Sequence, residues 1–445
     1  MNSSKVRIGV NEKLTVQQSL FYGMQSLLAC NLFLGPFVLI GVFQMEVSLA
    51  AAFIGMTFLA CGIATIIQAG FFLKMQVIQG MSFATFGAVI AVVMGADFAT
   101  LVGALMVTSI MIVLLGYFRL FSKFVRKFIP GLVAGTVIVV IGISLMPITF
   151  TSILDLPGSP GVNFLIAGVT FFSLLFFMRL GRSENTLSKA LNIGGVIYAM
   201  AIGTFVASFF GQVDLTPVVS APWFAIPRLF PFGAPKFEIG SIMVFAVIMI
   251  ISMVESIGTW FTITEMSDDA VDDERMDRGV IGEGLGVLIG SLVGGLPVSS
   301  YASNTGVLVV TKVFSRYAAI AAGVVAVILA FSPKLMYLMA IIPSSVVWGV
   351  YGIVCIAILM SGFNSIKNYP ITERNNLVVG ISVLATIGAG LLPAAVTNAM
   401  PGIIGYLFQA SIAIGCITAV VANLVLPENT EDRIAVNPIT DVNNS

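Results

Sequence analysis

The sequence predicts an all-α polytopic membrane protein of fourteen transmembrane segments, arranged as two halves of seven with opposite orientation. Three observations lead there. Of 445 residues, 58% are hydrophobic and 9% charged, with a mean hydropathy of +1.05, whereas soluble domains carry about 25% charge. The apolar residues lie in runs of roughly 17–25, each able to cross about 30 Å of hydrocarbon. The basic residues fall almost entirely on one side when every run is counted as a crossing.

In chain order the runs occupy 17–43, 48–73, 76–95, 98–118, 124–148, 163–180, 188–211, 239–266, 279–296, 302–311, 315–332, 336–364, 375–393 and 401–426. The first is too long for a signal-peptide core and is followed by many more, so it reads as a permanent helix. The third and tenth are short and interrupted by polar or small residues. Positive charge retains them. With the N-terminus inside, all but three of the 21 Lys and Arg face the cytoplasm, Lys5, Arg182 and Arg433 among them. The exceptions are Arg228, Lys236 and Lys334. Dropping either weak crossing would invert every later loop. Both termini are therefore expected in the cytoplasm, in a multi-pass protein of the cell (inner) membrane, with a short N-terminal segment (1–16) and a polar, disordered tail (427–445). Pro217, Pro222, Pro227, Pro231 and Pro235 mark 212–238 as an extended external loop. Asp268–Arg278 reads as a solvated cytoplasmic loop.

Composition also excludes. Net charge is zero, so there is no basic field for nucleic acid. Histidine is absent, which removes Ser/His/Asp and Cys/His catalysis and imidazole metal ligands. The four cysteines sit in separate apolar runs and read as small core residues. No soluble domain is left over, so the chain is not read as an enzyme, and no catalytic residue, metal or cofactor is assigned.

The interrupted runs carry the functional signal. The third holds Gln79-Gly80-Met81-Ser82-Phe83, and the tenth Ser299-Ser300-Tyr301-Ala302-Ser303-Asn304-Thr305-Gly306, about half the chain apart. Seven crossings per half is an odd number, so the halves are inverted, and matched breaks in inverted halves point to a midplane site in a secondary transporter. Hydrocarbon cannot satisfy free N–H and C=O groups, so a break survives only where protein or a wet cavity supplies partners. Ser82 and Asn304 are expected to cap the half-helices that follow.

Of the 21 acidic residues, Glu255 and Glu283 lie deep inside apolar runs. Each costs about 2.5–3.5 kcal/mol to insert at a helix centre, and no Lys or Arg lies at midplane depth to pair with them. Ser252, Glu255, Ser256, Thr259 and Thr262 recur at three- and four-residue spacing, which lines a cavity or faces another polar surface. Glu255 is the leading ligand or proton site. Gly282, Gly286, Gly290 and Gly294 repeat every four residues and read as a close-packing seam. Glu283 beside them is expected either to brace the tenth segment or to carry a coupling ion.

These residues resemble the nucleobase–ascorbate transporter family, the relatives of uracil and xanthine permeases. The tenth segment, from Ser303-Asn304-Thr305-Gly306 to Thr311-Lys312, is similar to the family signature. Glu255-Ser256-Ile257-Gly258 resembles the substrate-binding glutamate motif, Gln79 to Phe83 the third-segment run of purine members, and Gly23-Met24-Gln25 the first-helix motif. The resemblance covers nearly the whole chain. It implies a core domain (17–118 and 239–332) and a gate domain (119–238 with the external loop, and 333–426), short strands in segments 3 and 10, and a homodimer. It implies substrate contacts from Glu255, Phe83, Ser82, Tyr301, Ala302, Ser303, Asn304 and Thr259, with Glu283, Gln25, Gln79, Gly306 and Thr311 coupling or supporting the site. Ser303, Ser26 and Thr259 depart from the family pattern where relatives carry longer or titratable groups. The expectation is import of a nucleobase, a purine or oxopurine such as xanthine, urate or guanine, by proton symport with elevator-like alternating access. A pyrimidine or another flat heterocycle, and sodium coupling, are the alternatives. A sulfate-permease-like anion transporter would want positive charge near the breaks, and a channel would not need Glu255.

Overall fold

Asn31 adopts the left-handed conformation (φ 50°), which short amide side chains tolerate, and it splits the first predicted crossing into α1 (Val16–Cys30) and α2 (Leu34–Val42). The computed structural model to which these elements belong describes residues 7–181, 186–367 and 369–427. Lys5, Arg182, Arg433 and the polar tail beyond residue 427 fall outside them. Thr15 opens α1 with a capping box, its hydroxyl accepting from the Gln18 N–H while the Gln18 side chain accepts from the Thr15 N–H. Next come α3 (Val47–Ile67), which runs on into a π-helical turn at Gln68–Phe72, and β1 (Gln79–Met81). A 3-10 turn at Phe83–Thr85 leads into α4 (Phe86–Gly95). Asp97 caps α5 (Phe98–Tyr117), and α6 (Phe121–Phe128), α7 (Gly131–Leu154), α8 (Pro160–Leu180) and α9 (Thr186–Phe209) follow.

The second half begins with α10 (Thr216–Ser220), a single helical turn inside the proline-rich stretch 212–238. After it come α11 (Ile239–Ser267), α12 (Asp273–Leu292), β2 (Val298–Ser300), α13 (Ser303–Thr311) and α14 (Arg316–Ala330). The C-terminal part holds α15 (Pro333–Ala340), α16 (Ser344–Ile366), α17 (Glu373–Gly390), α18 (Ala394–Ala399), α19 (Gly402–Gln409) and α20 (Ser411–Val425). The chain is therefore an all-α polytopic membrane protein with one short two-stranded sheet among its described residues. Among the described residues, seven helical stretches are long and apolar enough to cross a membrane, counting Val16–Val42 as one, or eight if α14 and α15 form one broken span.

Several boundaries correct the sequence reading. The run 336–364 is two helices, because Pro343 cannot continue α15 and instead precedes α16. α15 also bends 87° away from α14. The last run, 401–426, is broken at Ala410 into α19 and α20, without a proline or glycine to announce it. α12 starts at Asp273, so the second half of the supposed solvated loop is helix, with Asp273 and Glu274 favouring its positive N-terminal end.

Close packing divides the described residues into two units. One takes in Met1–Met81, Met146–Phe232 and Gly286–Val354, the other Ser82–Leu145, Gly233–Leu285 and Cys355–Ser445. In the first, α3 packs on α14 and α15, α1 on α13 and α14, and α8 on α9. Gly62 and Gly323 bring α3 and α14 together backbone to backbone. A Cβ added to Gly62 would lie 2.7 Å from the Gly323 carbonyl oxygen, and one on Gly323 would lie 2.8 Å from that of Gly62. The glycine repeat of α12 acts likewise: an added Cβ on Gly286 would come within 2.7 Å of the Ala64 methyl, and one on Gly290 within 2.9 Å of Ala60. The N-terminal segment is stitched to the connector after α13. Ile8 N–H donates to Lys312 O (3.1 Å), Phe314 N–H to Ile8 O (2.9 Å), Arg316 N–H to Val10 O (3.0 Å), and the Ser315 hydroxyl to Glu12 O (2.6 Å).

In the second unit, α11 packs on α5, α4, α19 and α20, and α17 packs on α20. Asp277 of α12, 3% exposed, accepts from the Ser122 N–H (2.9 Å) and the Ser122 hydroxyl (2.7 Å), so it satisfies the start of α6 from another helix. Asp277→Ala is expected to cost about 1–3 kcal/mol by stranding these donors, read as a lower melting temperature in detergent. An unchanged melting temperature would show that water replaces the carboxylate. At the entry to α5, Asp97 pairs with Lys236. The Lys236 ammonium, and then the Thr100 N–H and hydroxyl, hold the Asp97 carboxyl down at about 2. A lowered carboxyl stabilises the fold above its ordinary titration near about 3.9, and that contribution fades as pH falls toward about 2. Both side chains are well exposed, so the effect on stability is small. Lys236→Met is expected to return Asp97 toward its ordinary value, visible in its carboxyl carbon NMR titration.

Candidate functional site

Strand β1 pairs antiparallel with β2 in the register Gln79↔Ser300, Gly80↔Ser299, Met81↔Val298. The two interrupted runs, so far apart in sequence, thus satisfy one another's backbone groups. The Gln79 side chain donates to the Ser300 hydroxyl (2.8 Å), and its N–H donates to the Thr65 hydroxyl of α3 (2.9 Å). Tyr301, 6% exposed, donates its N–H to Ile78 O (2.9 Å) and lays its ring against Gly80, a contact that any Cβ there would block.

Two expected caps are placed differently. Asn304 is the second residue of α13, whose N-cap position is held by Ala302. Its amide instead donates to Gln76 O (2.9 Å) and Gln76 Oε1 (2.5 Å). Ser82 does occupy the N-cap position of the 3-10 turn, but its hydroxyl makes no cap bond. That hydroxyl donates to Glu255 Oε2 (3.1 Å). In both cases the side chain is turned to a partner far away in the chain.

Glu255 is half-buried on α11. The Ser252 hydroxyl donates to Ser82 Oγ (2.8 Å), and Ser82 donates onward to Glu255, a directed hydroxyl chain that leads to the carboxylate. Phe83 follows Ser82 directly and is 7% exposed. Thr259 bonds back to the Glu255 carbonyl (3.4 Å), and Thr262 to that of Gly258 (2.9 Å). Glu283 is wholly buried on α12 next to Gly284, where an added Cβ would meet Val113 and Ser109 of α5.

The remaining expected residues divide by place. Ala302 and Ser303 are exposed at the start of α13. Gln25 on α1 has a buried Oε1 with no hydrogen-bond partner. Thr311 bonds back to Val307 O (2.9 Å) as α13 ends in the left-handed Lys312 (φ 59°). Gly306 has open space where a Cβ would stand, so close packing does not explain it. Gln76 was not among the expected residues. Its signal was a lone amide at the start of a short apolar run, between Met75 and Val77.

A family profile described as a permease family, Xan_ur_permease, matches residues 17–395. The chain belongs to the xanthine/uracil permease family. This permease is a membrane transporter, not an enzyme. It is 30% identical over 440 residues to a Clostridium perfringens protein named as a purine permease, covering 95% of this chain and 93% of that one. It is 27% identical over 423 residues to the uric acid permease PucK of Bacillus subtilis, covering 92% and 96%. Its fold matches the transmembrane domain of a cyanobacterium bicarbonate transporter, BicA, with a TM-score of 0.66 at 18% identity over 87% of this chain and 100% of that domain.

Proposed function

We propose that this permease imports an oxidised purine of the xanthine–urate class by cation symport, with a proton as the coupling ion. The observation that carries the reading is the Ser252–Ser82–Glu255 chain. A carboxylate oriented by a hydroxyl can accept the ring N–H donors of a purine, and Phe83, next to Ser82 in the chain, offers an aromatic face. The relatives named for purine and uric acid favour the same class. Thr259 and the Tyr301–Asn304 segment, which the family resemblance includes among the substrate contacts, stay in the proposal on that ground.

Without histidine, a proton is carried by a carboxylate, Glu255 or Glu283. Protonation makes the loaded site electrically tolerable in hydrocarbon. Fourteen crossings as two inverted repeats, a core of 17–118 and 239–332 that moves against the remaining gate, cytoplasmic termini and a homodimer complete the proposal. Uptake of labelled xanthine into energised and deenergised vesicles, with unlabelled bases as competitors, tests it. Saturable uptake that needs a proton gradient and is competed by urate is expected. Uptake competed only by uracil, or driven only by sodium, overturns the purine or the proton assignment respectively.

A further inference from the structure

We propose that Gln76 is a positioning residue for transport, fixing the Asn304 carboxamide and the first turn of α13 through a one-way amide relay that ends on Ser26 of α1. The role in transport rests on the nucleobase reading above; the relay itself rests on geometry. Asn304 Nδ2 donates both to the Gln76 backbone carbonyl (2.9 Å) and to Gln76 Oε1 (2.5 Å). A backbone carbonyl can only accept, so the nitrogen of Asn304 must face Gln76 and its Oδ1 must face away. With Oε1 taken, Gln76 turns Nε2 to Ser26 Oγ at 3.0 Å. Ser26, Gln76 and Asn304 are 1%, 1% and 0% exposed.

Each amide therefore has one permitted orientation, and the relay leaves Asn304 Oδ1 as a buried acceptor with no hydrogen-bond partner in the structure. α1 thus holds Asn304 through Gln76. The relay is neutral, and its members Ser26 and Asn304 do not titrate in the physiological range.

The test compares wild type, Gln76→Leu and Gln76→Glu in vesicles taking up labelled xanthine between about pH 5 and 8, with the melting temperature of each purified protein measured across the same range. Gln76→Leu is expected to raise KM about tenfold or more, because the buried Asn304 amide loses its side-chain acceptor and the Ser26 hydroxyl loses its donor. A protonated glutamic acid donates to Ser26 and accepts from Asn304 as the glutamine does. Ionised, it loses the donor and buries a charge. Burial raises such a group's titration, so Gln76→Glu should match wild-type uptake at the acid end and lose it as pH rises. Its melting temperature should fall away from wild type in the same direction, without substrate.

Wild-type KM in Gln76→Leu, or a Gln76→Glu to wild-type uptake ratio that is flat with pH, overturns the proposal. If Gln76→Leu does not fold, recovery of Gln76→Glu at the acid end decides. If the wild type takes up no base at all, the nucleobase reading fails. The melting comparison then judges the relay alone: a gap that widens with pH supports it, and no gap refutes it.

Discussion

Glu255→Gln is expected to abolish accumulation of substrate against a gradient while leaving the protein folded. Glutamine is isosteric, so its carbonyl can still accept from Ser82 and the Ser252–Ser82 chain persists. The negative charge and one acceptor are lost. A hydrogen bond to a charged group is worth about 1.5–3 kcal/mol, which alone is about 10- to 150-fold in affinity. A glutamine also cannot take up a proton, so under proton symport the remaining binding would be uncoupled. Concentrative uptake should therefore fall about 100-fold or more, with abundance and melting temperature close to wild type. Wild-type-like accumulation by this variant would remove Glu255 from the mechanism.

The largest expected effect on stability is at Gly62. Gly62→Leu drives a side chain into the Gly323 carbonyl and the Val327 backbone of α14, at 2.7 and 2.9 Å from the Cβ position. Backbone cannot rotate aside as a side chain can, so the two helices must separate. Overpacking usually costs about 1–3 kcal/mol, and here the upper end or beyond is expected, seen as loss of monodisperse protein after extraction. Gly306→Ala is the contrasting case. Nothing lies near its Cβ position, and alanine favours a helix over glycine by about 0.5–1 kcal/mol, so its melting temperature should hold or rise. Should its uptake nevertheless fall, the open space beside Gly306 is needed by the ligand or by the motion that carries it.

The parts legible in the sequence are those governed by local composition. Long apolar runs gave the membrane class, the polar interruptions near Gly80 and Ser300 marked both breaks, whose short strands only the family resemblance implied, and the spacing of Ser252 and Glu255 placed them on one face of α11. Gly286 and Gly290 of α12 read correctly as a seam because small-residue spacing is itself the packing signal, whereas Gly294 lies beyond the helix in a left-handed turn (φ 74°). What escaped depends on partners far away in the chain. Nothing near Gln76 shows that it takes Asn304 rather than starting a helix, and nothing near Asp277 shows that it holds the start of α6. Asn304 was read as a cap because its residue type suits one, but α13 begins before it, at Ser303, and its amide nitrogen turns to Gln76. Ala410 breaks the last run with no special residue at all.

The seam between Ile8 and the stretch around Val313 has a consequence for biosynthesis. The hydroxyl of Ser315 finds its acceptor 303 residues upstream. Residues 8–12 must therefore wait for residues 312–316 before they can pair, and closing so long a loop is slow compared with forming any single helix. Final setting of the α13–α14 junction is in this sense a late event of assembly, and a bulky fusion at the front of the chain would delay maturation there rather than at the helices nearest to it.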